Sequence, residues 1–134
     1  MFSFFKKKLI IPHVRMSGVI GSVGKFKQGL DLASQQDLLK KAFSYKKPKT
    51  VAISINSPGG SPVQSHLIYS YIRQLAKKNN TKVIIFAEDV AASGGYFIAC
   101  AGDEIYANSS SIIGSIGVIS ASFGFKDLIK KIGI

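Results

Sequence analysis

Ser93 is the residue of this sequence best placed for covalent chemistry, within Ala91-Ala92-Ser93-Gly94-Gly95-Tyr96. The apolar run 82–86 before it reads as a buried strand, and the small-residue run 97–101 after it reads as a short packed helix. A serine at such a junction has its hydroxyl at an exposed edge, beside the unpaired N–H groups of a helix start, which suit a developing oxyanion. A second corner of this kind lies upstream: a strand over 50–55, then Asn56-Ser57-Pro58-Gly59-Gly60-Ser61-Pro62, then a helix. Two such corners face to face would supply one nucleophile and two backbone donors, the minimum for acyl transfer.

Each motif also has a blander reading. Glycines between a strand and a helix can cradle phosphate, but neither GxxxxGK[ST] nor GxGxxG occurs here. Ser93 could serve only as a small residue for helix packing, and a seryl nucleophile needs a base. His13, on the first strand, and His66, inside the longest helix, are better read as surface or hydrogen-bonded residues. Glu88 and Asp89 could form an acid pair or a metal site, but two adjacent carboxylates more often mark a solvated turn. The single cysteine, Cys100, cannot close an internal disulfide and is expected on the core side of the short helix. It has no partner at metal-ligand spacing. Neither a metal nor a cofactor is expected.

The totals narrow the classes further. The 134 residues make at most one domain, with 46% hydrophobic and 19% charged residues, a globular composition. The net charge of +11 comes from 16 lysines and only two arginines. Without clustered arginine forks or aromatic platforms, nucleic acid is not an expected partner. The lysines read as a solvated face, with attraction to anionic lipid or acidic partners as the alternative. Residues 1–8 form a tail of three aromatics before three lysines, suited to weak membrane-surface contact. This order is the reverse of a secretory signal, and no stretch reaches the length of a membrane span, so a cytoplasmic location is open.

Positioning the two corners requires alternating strands and helices. Residues 9–20 read as an edge-leaning strand, and a helix follows, capped at Ser34 with Asp37 three residues on, its apolar face made of Leu38, Leu39, Ala42 and Phe43. Ser61 is the expected N-cap of the longest helix, with Pro62 at its first position and Val63, Leu67, Ile68, Tyr71, Ile72 and Leu75 at helical spacing up to Asn79-Asn80. Residues 104–107 and 112–120 read as two further strands. Phe125, Leu128, Ile129 and Ile132 space out a last helix with its lysines opposite.

Three segments together carry a family resemblance: Asn56-Ser57-Pro58-Gly59-Gly60, Asp89-Val90-Ala91-Ala92-Ser93-Gly94-Gly95-Tyr96 and Gly114-Ser115-Ile116-Gly117-Val118. In order and spacing they resemble the signal peptide peptidase A type serine proteases, over residues 10–134. The resemblance implies an α/β fold of the Clp protease and crotonase superfamily, with repeated ββα units and a mostly parallel sheet. It implies Ser93 as nucleophile, the N–H groups of Gly94 and Gly60 as oxyanion hole, with Gly59 the less favoured choice, and Ser115 as an accessory serine bonded to a lysine base. The family's spacing from the nucleophile implies that this lysine lies past Ile134; Lys126, Lys130 and Lys131 are nearer but fall on the solvent face of an amphipathic helix. Residues 9–134 are therefore expected to be the N-terminal part of a peptidase domain, cropped before its base and inactive alone. The resemblance further implies peptide substrates such as signal peptide remnants, a homo-oligomer, and a bacterial, membrane-associated setting. Two rival readings are a non-catalytic fragment that keeps the fold, and a crotonase-type acyl-CoA enzyme whose paired amides hold a thioester enolate.

Overall fold

Strict alternation marks the first strand: in β1 (His13–Ser17) Val14 and Met16 are buried while His13, Arg15 and Ser17 are exposed. The computed structural model describes residues 9–21, 29–117, 130–131 and 133. The same alternation runs through β2 (Thr50–Ser57) and the first half of β3 (Lys82–Ala92), which bury Val51, Ile53 and Ile55, then Val83, Ile85 and Ala87. These strands pair in parallel in the order β1-β2-β3-β4, with β4 spanning Glu104–Ala107.

A strand order that follows the chain order, joined by right-handed crossovers, puts every connecting helix on one face of the sheet. There α1 (Leu32–Ser44), α2 (Pro62–Asn79) and α3 (Gly94–Ala99) bury Leu39, Phe43, Ile68, Ile72 and Ile98 against the strand residues just named. At about 1.5–3 kcal/mol per fully buried large apolar side chain, this single cluster carries most of the favourable free energy of the fold. The α/β architecture with a parallel sheet expected from the sequence is the one observed.

The long third strand has two partners on the same side. Its first half pairs with β4, while Val90, Ala91 and Ala92 pair with β5 (Ile112–Gly114). A register shift between Ile55 and Ser57 separates the two halves. The sheet therefore opens toward its carboxyl end, where both corners sit.

Several expectations need correction. The first strand is shorter than 9–20, with only an isolated bridge at Ile20 beyond Ser17. The first helix is capped by Asp31, with Ser34 at its third position. Asp31 Oδ1 accepts the Ser34 N–H at 2.8 Å, and the Ser34 hydroxyl accepts from the Asp31 N–H at 3.3 Å. Leu38, Val63 and Leu67 have the expected spacing but are 53%, 66% and 39% exposed, because the strip that meets the sheet is narrower than the apolar pattern. The third strand continues through Glu88 and Asp89 to Ala92 instead of ending at Phe86. The short helix begins at Gly94, and Cys100, its C-cap, is exposed where the core side was expected. Ser61, Pro62 and the left-handed Asn80 bound α2 as expected. The tail 1–8, the apolar residues of the last helix and Lys126 lie outside the described residues. Lys130 and Lys131 are helical and exposed.

Candidate active site

The first corner is built by backbone that only glycine adopts with ease. Gly59 and Gly60 have φ of +101° and +146°. A Cβ at Gly60 would overlap the Ile20 carbonyl, and one at Gly59 would stand 2.8 Å from Ser93 Cβ and 2.9 Å from Gly94 N. The two corners therefore touch.

Hydrogen bonds decide which amide is free. Ile20 N–H donates to the Gly59 carbonyl at 2.8 Å and Ser61 N–H to the Ile20 carbonyl at 2.8 Å, a parallel bridge that turns the Gly60 N–H away from Ile20. Gly59 N–H donates to Ser57 Oγ at 3.1 Å, inside a fully buried pocket. Gly60 N–H has no acceptor among the described residues. Of the two glycines considered, Gly60 is thus the one with an N–H to offer.

The second corner is held in a conformation that serine resists. Ser93 lies at φ 51°, ψ −119°, and its N–H is tied to the Gly114 carbonyl at 2.8 Å. Its carbonyl accepts from Phe97 N–H at 3.0 Å and starts α3, so the N–H groups of Gly94 and its followers have no partner within the helix. Ser93 Oγ caps nothing. Gly94 packs against the buried Ser65, and a Cβ at Gly95 would come 2.7 Å from the Ser57 carbonyl. Ser115 follows the Gly114 that anchors Ser93, is exposed, and also has positive φ, 52°.

The sequence reading missed the link between the corners. Asn56, one residue before Ser57, donates from Nδ2 to Asp89 at 2.9 Å and accepts the Val90 N–H on Oδ1 at 3.2 Å. It thereby sets the approach of the strand that ends in Ser93. The only sequence signal was that Asn56 and Asp89 open two of the three motifs.

Beside the corners lies a cavity of about 360 Å³, lined by Gly60, Pro62, Ser93, Tyr96, Phe97 and Ile116 among others. It is mostly apolar, and among the described residues no histidine or lysine lines it. His13 bonds Ser54 Oγ at 2.8 Å on the opposite face of the sheet, and His66 is exposed on α2 with its ring 6.0 Å from Phe97. Both match the surface or bonded role expected of them. Glu88 and Asp89 form no metal cluster among the described residues. Glu88 is gripped by Arg15 through Nε at 2.8 Å and Nη2 at 2.6 Å, which holds its carboxyl below the usual range. The acid pair is thus divided between an ion pair and the Asn56 clamp.

Comparison with known proteins gives four matches. Residues 75–134 match the model of peptidase family S49. The chain is 35% identical to Protease 4 of Haemophilus influenzae over 127 residues, 95% of the chain and 20% of that protein. It is 61% identical over 125 residues, 92% of the chain, to 17% of a Brucella melitensis protein named Na(+)/H(+) antiporter NhaA. No helix among the described residues is long and apolar enough to cross a membrane. The chain spans about a fifth or less of these curated relatives. A solved structure of the 1510-N membrane-bound stomatin-specific protease superposes with a TM-score of 0.60 at 21% identity, covering 78% of this chain and 46% of that one, and shows the shared fold.

Proposed function

We propose that this chain, a relative of the family S49 serine peptidases, supplies the nucleophile and the oxyanion hole of a peptide-hydrolysing site. The observation that carries the reading is Ser93, held at positive φ with its hydroxyl unbonded among the described residues, between the outward N–H of Gly60 and the helix-start N–H of Gly94. Ser93 Oγ attacks the scissile carbonyl carbon, and the carbonyl oxygen gathers negative charge between those two N–H groups. Each such donor is worth roughly 10²- to 10³-fold in turnover. The serine proton passes to a base and then to the leaving amine, giving an acyl-serine that water hydrolyses.

The base is to come from outside the described residues. We assign it to a lysine beyond Ile134, neutral through burial and bonded to Ser115. The apolar cavity beside Ser93 supports extended peptides with small or apolar side chains as substrates. The test is labelling with a fluorophosphonate probe, read by mass spectrometry on the full-length protein. An adduct on the peptide bearing Ser93, lost in Ser93→Ala, supports the assignment; an adduct elsewhere, or none, contradicts it. The 134-residue chain alone should not turn over a fluorogenic peptide, and Ser93-dependent turnover by it would place the base within the chain.

A further inference from the structure

Eight of the sixteen lysines of this chain are gathered at one pole of the fold. Because β1 to β4 are parallel, their starts lie at one end and both corners lie at the other. Lys40 and Lys41 end α1 at the starting pole, Lys46, Lys47 and Lys49 occupy the loop into β2, and Lys77 and Lys78 end α2. The Lys82 N–H donates to the Lys49 carbonyl at 2.9 Å, and Thr81 Oγ1 to the Pro48 carbonyl at 3.0 Å, so these segments are joined in space. All these lysines are exposed, and among the described residues only Lys82 has a carboxylate partner, Glu104.

Two features set this pole apart from a merely solvated face. The helix dipoles account for Lys41, Lys77 and Lys78, since cations offset the C-terminal ends of helices. They do not account for the loop lysines. Lys46 and Lys47 are both left-handed, at φ 51°, a conformation that glycine or asparagine takes at less cost. A strained backbone is thus kept with lysine in both positions. The second feature is apolar: Leu38 and Tyr45, both exposed, border a groove of about 360 Å³ that Pro12 and Lys41 share and that runs along β1 past His13 and Arg15.

We infer that the lysine pole is a docking surface for an anionic lipid bilayer, which holds the Ser93 corner on the side away from the lipid. Lysines supply point charges for headgroups, and Leu38 and Tyr45 supply apolar area for the interface. Both arginines, whose forks would favour nucleic acid, are committed to Glu88 and Asp103. The eight residues of β2, at about 3.3 Å each, put the corner on the order of 25 Å from the surface.

The test is co-sedimentation of the purified chain with vesicles of equimolar phosphatidylcholine and phosphatidylglycerol, against pure phosphatidylcholine. Each lysine at an anionic surface is worth about fivefold in partitioning. The expected result is binding to the anionic vesicles alone, weakened by salt. It should fall by about a hundredfold in Lys46→Gln/Lys47→Gln/Lys49→Gln/Lys77→Gln, with allowance for screening. A second variant, Lys46→Asn/Lys47→Gly, removes two charges and relieves the left-handed strain. It should bind about tenfold more weakly, with the same allowance for screening, while melting at a higher temperature. Undiminished binding by both variants overturns the proposal. So does loss confined to Lys6→Gln/Lys7→Gln/Lys8→Gln, which would assign binding to the tail, and so does retention on a DNA duplex with none on vesicles.

Discussion

The two strand-to-helix corners look alike in sequence, each a small-residue turn with paired glycines, yet they are built by opposite means. At the first, positive φ falls on Gly59 and Gly60, and the strain is relieved by residue choice. At the second, positive φ falls on Ser93, and the surroundings must impose it through the Gly114 carbonyl and the packing of Gly94 and Gly95. Under the proposed function, the difference follows from what each corner offers. A donor corner needs only an outward N–H, which glycine supplies most cheaply. A nucleophile corner needs a side chain at the apex, so it accepts an unfavourable backbone. Substitutions that treat the corners differently can break this account.

The largest effect should come from deleting one N–H. Alanine at position 60 would collide with the Ile20 carbonyl, and proline cannot adopt φ +146°, so neither isolates the donor. Replacing Gly60 by glycolic acid through semisynthesis exchanges the N–H for an ester oxygen. Turnover of the full-length protein should fall on the order of 100- to 1000-fold with KM little changed. The same exchange at Gly59 removes only the bond to Ser57 Oγ and should cost less. Equal losses would erase the distinction drawn between the two amides.

The next effect concerns the clamp between the corners. Asn56→Ala removes the bonds to Asp89 and Val90 and should destabilise the chain by about 1–2 kcal/mol, measured by urea unfolding. A small shift of the Ser93 corner should also lower turnover, since misplacement by about 1 Å can cost roughly 100-fold. Asn56→Asp keeps the acceptor for Val90 but sets a carboxylate against Asp89, and should lose activity as well. Activity intact in both variants would mean that each corner holds its own shape.

That clamp also marks where sequence reasoning reached its limit. The corners, α2 with its Ser61 cap, and β4 were legible because capping and periodicity are local. The extension of β3 through Glu88 and Asp89 was not, because acids suggest a turn unless one knows that Arg15 and Asn56 wait on neighbouring strands. Asp31 and Ser34 each satisfy half of one capping box, so the sequence suits either as the cap. The exposure of Cys100 depends on where α3 begins, and Ser93 at positive φ moves that start to Gly94. For β3 the deciding partners are remote in sequence, whereas for the cap of α1 they are three residues apart.

The smallest effect belongs to a residue in neither corner. Asp103 is pushed up by burial, but the Val83 N–H at 2.7 Å and Arg73 at 2.9 Å outweigh this and hold its carboxyl below the usual range. A depressed folded pKa gives stability that is present above the unfolded value, near about 3.9, and lost as pH falls through the folded one. Asp103→Asn should therefore flatten the acid side of the stability profile below about pH 5, leaving turnover at neutral pH unchanged. A loss of turnover at neutral pH would tie the site to the far pole of the sheet.

The most direct measurement is a crystal structure of the full-length protein with a peptide boronate. The account predicts a bond from Ser93 Oγ to boron, and one boronate oxygen at about 2.7–3.1 Å from both Gly60 N and Gly94 N. An oxygen directed to Gly59 N, or boron bound to another residue, would contradict it.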